Sequence, residues 1–157
     1  QVLPYSNSLT LAECTGQQVL DALEWGAHNL PGEFGGFLEV SGLTYEVNPT
    51  IPSPCVQDDQ NWLDHIDENM ARRVGNVLVN GDPLDPEKTY KVCMTDFLFE
   101  GGYGYSMFEG CTARLQDMAI DNEALINYLR SLPDGALQER YGDPYGDGRI
   151  VAVGGNT

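Results

Sequence analysis

Apolar and polar positions alternate from residue 7 to residue 14 (N-S-L-T-L-A-E-C), which predicts a strand with Leu9 and Leu11 on one face. The period then changes. Thr15 stands where an N-cap belongs and Gln18 can reach back to it, forming a capping box. Val19, Leu20, Leu23 and Ala27 make one stripe of a helix running to about His28. Asn29-Leu30-Pro31-Gly32 stops it, because neither proline nor glycine extends a helical hydrogen-bond run cheaply. Alternation resumes from Leu38 to Val47, with Gly42 marking a bulge or a close backbone approach. Residues 74–79 form another strand, and Asn80-Gly81 after it is a hairpin-turn signal. Residues 89–94 are again β-rich. Asp121 can cap a helix over residues 122–131 with Leu125, Ile126 and Leu129 inward, and residues 149–153 read as a closing strand. These strands and helices are read together as an α+β fold, a mixed sheet with helices packed against it.

Residues 48–73 break the pattern. They carry three prolines and an acidic run from Asp58 to Glu68, which predicts a surface insertion or an extended hairpin. No internal repeat is present. The 157 residues suffice for one domain that buries roughly 70% of its unfolded surface, so residues 1–157 read as a single domain.

Two runs combine glycines with an aromatic residue at a strand boundary. In Thr95-Asp96-Phe97-Leu98-Phe99-Glu100-Gly101-Gly102-Tyr103-Gly104-Tyr105, Phe97 stands where a strand gives way to a glycine-rich loop. In Gly32-Glu33-Phe34-Gly35-Gly36-Phe37-Leu38-Glu39-Val40, Phe37 lies between glycines and a strand. Glycine lets a ligand or another backbone approach closely, so such loops beside aromatic rings suit a flat ligand. The plainer alternative is a turn with core phenylalanines.

These two runs, with Leu3-Pro4-Tyr5-Ser6-Asn7-Ser8-Leu9 and the stretch from Val79 to Tyr90, resemble the C-terminal domain of the 5'-nucleotidase family. That family includes UDP-sugar hydrolases and 2',3'-cyclic-nucleotide phosphodiesterases. The four motifs keep their order from about Leu3 to Val151. The resemblance implies that Phe37 and Phe97 sandwich a nucleobase, with Gly101, Gly102 and Tyr103 forming the loop beside it. Base stacking contributes roughly 1–3 kcal/mol per base with little preference among bases. The family's usual loop is Gly-Gly-Asp-Gly, whose aspartate contacts the ribose hydroxyls. Here Tyr103 replaces that aspartate, and a phenol offers one hydroxyl where a carboxylate accepts from both.

The resemblance further implies that catalysis lies outside this chain. The family cleaves phosphoesters with a dinuclear divalent metal site, held by an N-terminal metallophosphatase domain that this sequence does not include. The chain is thus expected to be truncated at its N-terminus. No cofactor is expected on the chain itself. Its expected partners are a nucleotide or nucleoside and that N-terminal domain. Its expected location is extracellular, at the cell surface or periplasmic. The alternatives are a non-catalytic nucleotide- or ligand-binding surface module with a degenerate ribose site, or a purely structural wall module.

Charge narrows the partners. Twenty-four acidic against eight basic residues give a net charge of −16, a field that repels nucleic acid and anionic membranes. No run of 18 or more apolar residues predicts a membrane span. Only two histidines are present: His28 fits a helix C-terminus and His65 a solvated face. Asp59 and Asn61 followed by Leu63 break any EF-hand spacing, and residues 143–148 read as a turn. Cys14, Cys55, Cys93 and Cys111 form no C-x-x-C pair, so zinc is disfavoured. Four cysteines allow three full pairings, and their spacing does not choose among them; the loop contexts of Cys55 and Cys111 make that pair the expected one in an oxidising compartment, with Cys14 and Cys93 as buried thiols.

Overall fold

The strand after the first loop spans Leu9–Thr15 (β1) and buries Thr10, Ala12 and Cys14. Leu9 and Leu11 do share a face, but it is the one turned away from the core. The structure, a computed structural model, describes residues 3–135, 137, 141–143 and 146–155. Helix α1 (Gly16–Gly26) begins with the expected capping box: the Thr15 hydroxyl accepts from the Gln18 amide, and the Gln18 side chain accepts from the Thr15 amide at 2.8 Å. It buries Val19, Ala22, Leu23 and Trp25.

Further strands follow: β2 (Leu43–Val47), the hairpin β3 (Cys55–Gln57) and β4 (Leu63–Ile66), β5 (Val74–Val79), β6 (Asp82–Pro83) and β7 (Thr89–Thr95). A short helix α2 (Asp96–Phe99) leads through two 3-10 turns to β8 (Thr112–Leu115), α3 (Asp121–Ser131) and β9 (Ile150–Ala152). One sheet has the order β7-β1-β8 and is antiparallel; a second has the order β6-β5-β2-β9, with β9 parallel to β2. The core combines Ala12, Cys14 and Met94 of the first sheet with Tyr45, Val47, Val74 and Val77 of the second. Trp25 and Leu23 of α1 and the buried Tyr105 and Phe108 complete it. The fold is α+β with mixed sheets, as the sequence pattern predicts.

Several expectations change. The strand expected from Leu38 begins only at Leu43, because Gly42 takes φ +80 and turns the chain there instead of bulging within a ladder. The Val40 carbonyl is held by the Arg149 guanidinium. Helix α3 starts at Asp121, whose carboxylate accepts from the Asn122 amide at 2.6 Å, and Ile120 is the capping residue. Leu125 and Ile126 face solvent rather than inward, so this helix does not supply core. Of the turn over residues 143–148, residues 144 and 145 lie outside the described ones.

The cysteine pairing is also corrected. Cys14 bonds to Cys111, while Cys55 and Cys93 are free. The sheet register accounts for it: Glu13 lies opposite Thr112, so the next antiparallel pair is Cys14 and Cys111, with Cα atoms 4.8 Å apart. Cys55 sits half-buried on the hairpin, where burial pushes its thiol up to about 11.

Residues 48–73 include the β3–β4 hairpin, and they are bound firmly to α1. Glu24 is fully buried, and its two carboxylate oxygens accept from the Arg73 and Val74 amides at 2.9 and 3.0 Å. The Arg73 guanidinium donates to the carbonyls of Ala27, His28 and Leu30 at the end of α1, and to Ile51. Arg72 pairs with Asp21 at 2.5 Å. Burial raises the Glu24 carboxyl above the usual range, against the pull of those amides and the two arginines.

Glu24→Gln tests this clasp. A glutamine has one accepting oxygen, so one buried amide would face an NH2 group. The expected cost is about 1–3 kcal/mol in urea unfolding at pH 7. No loss would mean that water replaces the acceptor.

Candidate functional site

The site is built where α2 and its glycine loop meet the segment that follows α1. Thr95 caps α2, and the Asp96 carboxylate accepts from the Ser8 hydroxyl at 2.8 Å, the Ser8 amide at 3.2 Å and the Phe97 amide at 2.7 Å. Burial opposes ionisation of Asp96, but those hydrogen bonds outweigh it and hold the carboxyl below the usual range. Asp96 thereby fixes the start of the turn that presents Phe97, a residue 44% exposed.

The loop closes back on that ring. A Cβ placed on Gly102 would lie 2.5 Å from Phe97 ring carbons, so any larger residue would expel the ring. Gly101 has φ +83, and Tyr103 is also left-handed, with φ 56. The Tyr103 ring meets Phe97 edge-on, with centroids 5.3 Å apart at 88°. Its other neighbour is Phe34, at 6.2 Å and 73°.

The ring that reaches Tyr103 from the 32–37 loop is therefore Phe34. Phe37 lies three residues further on, half-buried beside Gly26 and Leu30, and its amide donates to the Phe34 carbonyl at 3.0 Å. The Tyr103 Cβ sits about where a side chain on Gly36 would begin, 3.0 Å from it, which places Tyr103 against the residue preceding Phe37. The structure thus gathers Phe97, Gly101, Gly102 and Tyr103, and sets the Phe37 loop against them through Phe34 and Gly36.

Two buried side chains lock the loops together. The Trp25 indole donates to the Tyr103 carbonyl at 2.9 Å, and the Tyr105 hydroxyl donates to the Gly36 carbonyl at 2.5 Å. Burial drives the Tyr105 phenol strongly upward, so it stays a donor at all ordinary pH. His28 stacks on Trp25 at 3.9 Å, and its Nδ1 lies 2.6 Å from the Trp25 carbonyl, which fixes Nδ1 as the protonated nitrogen. Burial lowers the His28 pKa, helped by the Arg73 charge and opposed by that hydrogen bond.

Sequence reasoning did not single out Trp25, His28, Phe34 or Tyr105 for the site. Phe34 and Tyr105 lie inside the two runs that carry Phe37 and Phe97, so the density of aromatics there is a usable signal. Trp25 has none, because its partner is 78 residues away.

The arrangement offers exposed aromatic faces and edges, a neutral hydroxyl and a backbone loop of close approach. The Ser8 hydroxyl and the Asp96 carboxylate beside it are taken up in fixing the start of α2. Among the described residues no three His, Cys, Asp or Glu side chains gather as a metal-ligand group.

Comparison with known proteins places this architecture. A sequence profile described as "5'-nucleotidase, C-terminal domain" matches residues 1–110. Cell wall protein Lmo0130 of Listeria monocytogenes is 35% identical over 130 residues, covering 82% of this chain and 14% of that protein. Trifunctional nucleotide phosphoesterase protein YfkN of Bacillus subtilis is 28% identical, covering 97% of this chain and 9% of its own length. The crystal structure of the 5'-nucleotidase precursor from Thermus thermophilus superposes with a TM-score of 0.74 at 27% identity, over 99% of this chain and 27% of that one. The chain belongs to the 5'-nucleotidase C-terminal domain family. It spans only a fraction of the length of each of these relatives.

Two outcomes check the site's construction. Trp25→Phe keeps the ring but removes the donor to Tyr103; a loss of about 1–3 kcal/mol is expected, with line broadening of Gly102 and Gly104 amides in NMR spectra. Unchanged spectra would mean the loop holds itself. His28, neutral when folded and easier to protonate when unfolded, contributes stability that is present above about pH 6.5 and is lost as pH falls. The urea midpoint of the wild type should therefore drop from pH 7 to pH 5.5 more than that of His28→Gln; equal drops would remove His28 as the cause.

Proposed function

We propose that this chain is the nucleotide-binding C-terminal domain of a secreted or surface-exposed 5'-nucleotidase-type metallophosphoesterase. The whole protein hydrolyses nucleotide phosphoesters, using a dinuclear divalent metal site in an N-terminal metallophosphatase domain of the same polypeptide. Phe37 and Phe97 hold the base, Gly101 and Gly102 let it approach the backbone, and Tyr103 meets the sugar. The observation that supports this reading best is the half-exposed Phe97 ring, fixed by Asp96 and Gly102 and flanked edge-on by Tyr103. A ring held open to solvent at such cost to its surroundings is suited to stacking on a flat ligand. The relative named as a cell wall protein supports the location at the surface. No helix among the described residues is long and apolar enough to cross a membrane.

One observation favours a second reading, a surface module that binds nucleotide without coupling to catalysis. Tyr103 stands where a diol-binding carboxylate is expected, and its exposed phenol is a single donor.

Nucleosides titrated into the isolated chain should shift NMR signals of Phe37, Phe97 and Tyr103. Phe97→Ala should weaken binding by roughly 1–3 kcal/mol. In the whole protein, Tyr103→Asp should raise the preference for ribonucleotides over deoxyribonucleotides, since a carboxylate accepts from both hydroxyls of a diol. The isolated chain should release no phosphate with any divalent metal. Binding without turnover in the whole protein would select the second reading. No shift at any of the three rings would remove both.

A further inference from the structure

The turn of the β3–β4 hairpin holds Trp62 by its backbone on both sides. The Asp58 carboxylate accepts from the Trp62 amide at 2.9 Å and from the Gln60 amide at 2.8 Å. The Asp58 amide donates in return to the Trp62 carbonyl at 2.9 Å. Asn61, just before it, takes φ 61, a left-handed backbone that asparagine tolerates. Leu63, just after it, is buried, and its carbonyl accepts from the Ser106 hydroxyl at 3.2 Å. Trp62 is thus fixed in place, yet it is 47% exposed. It belongs neither to the core cluster nor to the apolar residues packed against that cluster.

Trp62 is fixed against the glycine loop of the aromatic site. A Cβ placed on Gly104 would lie 3.1 Å from the Trp62 Cα and 3.2 Å from its Cβ, so only glycine lets the hairpin pass there. A Cβ on Gly102 meets Phe97 in the same way. Phe97 and Trp62 therefore stand at the two ends of one turn, Gly102–Gly104, whose end Cα atoms are at most about 7.6 Å apart. Tyr103, the middle residue, is 49% exposed, with its ring edge-on to that of Phe97. Single exposed apolar residues are ordinary on a protein surface, but three large aromatic ones held by one turn mark a place of contact.

We propose that Trp62 is a second base platform, which stacks on the second base of a ligand made of two nucleosides joined through phosphate. Stacking on an aromatic side chain accepts any base, because every base has a π-face. One base does not serve both platforms: the Tyr103 phenol borders Phe97 on the way to Gly104, so a base on Phe97 is stopped there and Trp62 takes a different ring. The ligand is two nucleosides long rather than a strand, since a net charge of −16 and the neighbouring Asp58 and Asp59 repel a long polyanion. The proposal rests on the reading of Phe97 as a platform for a nucleobase, and it adds a second position to that site.

Fluorescence reads Trp62 directly. The chain has two tryptophans and Trp25 is 1% exposed, so the red-shifted emission belongs to Trp62, an assignment that Trp62→Phe checks. Adenosine and the dinucleoside monophosphate adenylyl-adenosine are titrated into the chain. The dinucleoside should quench the Trp62 emission and bind about tenfold more tightly than adenosine. Trp62→Ala should remove that tenfold advantage, whereas Trp62→Phe, which keeps a ring, should retain most of it.

Equal affinity for the two ligands would overturn the proposal, as would a Trp62→Ala chain that keeps the advantage. Equal quenching of Trp62 by adenosine would overturn it too, and would assign Trp62 to the single-base slot. NMR shifts at Phe97 are read in the same titrations. Shifts at Phe97 from both ligands with no response at Trp62 would end this proposal and leave the nucleotide reading standing. No shift at Phe97 from either ligand would end both.

Discussion

Everything on the site side of this molecule hangs from one buried carboxylate. Glu24 gives up its hydration in the core, a loss offset only because both oxygens receive backbone amides and two arginines stand nearby. The amides belong to Arg73 and Val74, where β5 begins, so the last turns of α1 are tied to the second sheet. Arg73 completes the knot by donating to the carbonyls of Ala27, His28 and Leu30 just past the end of α1. Position and direction of Trp25, His28 and the loop beyond them follow from that knot. A shift of α1 along its axis would move the indole away from the Tyr103 carbonyl, and with it the glycine loop.

The aromatic site therefore depends on contacts between segments far apart in sequence. Ser8 anchors Asp96 across 88 residues, Trp25 reaches Tyr103 across 78, and Tyr105 reaches Gly36 across 69. The Tyr105–Gly36 link is fully buried, and there an unmade bond costs more than a made one contributes. The ring faces left exposed are those of Phe97 and Tyr103, which the links position without covering. Rigidity beneath and openness above are the conditions under which stacking selects a ligand without paying to order the loops first.

How much of this could be read in the sequence depended on the range of the forces involved. The Thr15–Gln18 capping box and the Asn80-Gly81 turn are set by residues within four positions of each other, and they form as expected. That Phe97, Gly101, Gly102 and Tyr103 lie together was legible for the same reason, since they belong to one contiguous loop. The disulfide was not, because Cys14 and Cys111 meet only once β8 has taken its register beside β1. Periodicity named the apolar positions of α3 and of β1 correctly but could not say which face the rest of the fold would cover. Nor could it distinguish Phe34 from Phe37 as the neighbour of Tyr103, since only Gly35 and Gly36, in irregular backbone, separate them.

The left-handed backbone at Tyr103 bears on how this loop can change over generations. A φ of 56 is tolerated best by glycine, asparagine and aspartate and worst by β-branched residues. Tyrosine codons become aspartate or asparagine codons by substitution of their first base alone. The exchange of a phenol for a carboxylate or an amide at this position thus needs one mutation and relieves backbone strain rather than adding it. A lineage carrying this loop can move between an uncharged and an anionic side chain at this position without first reshaping the fold that supports it.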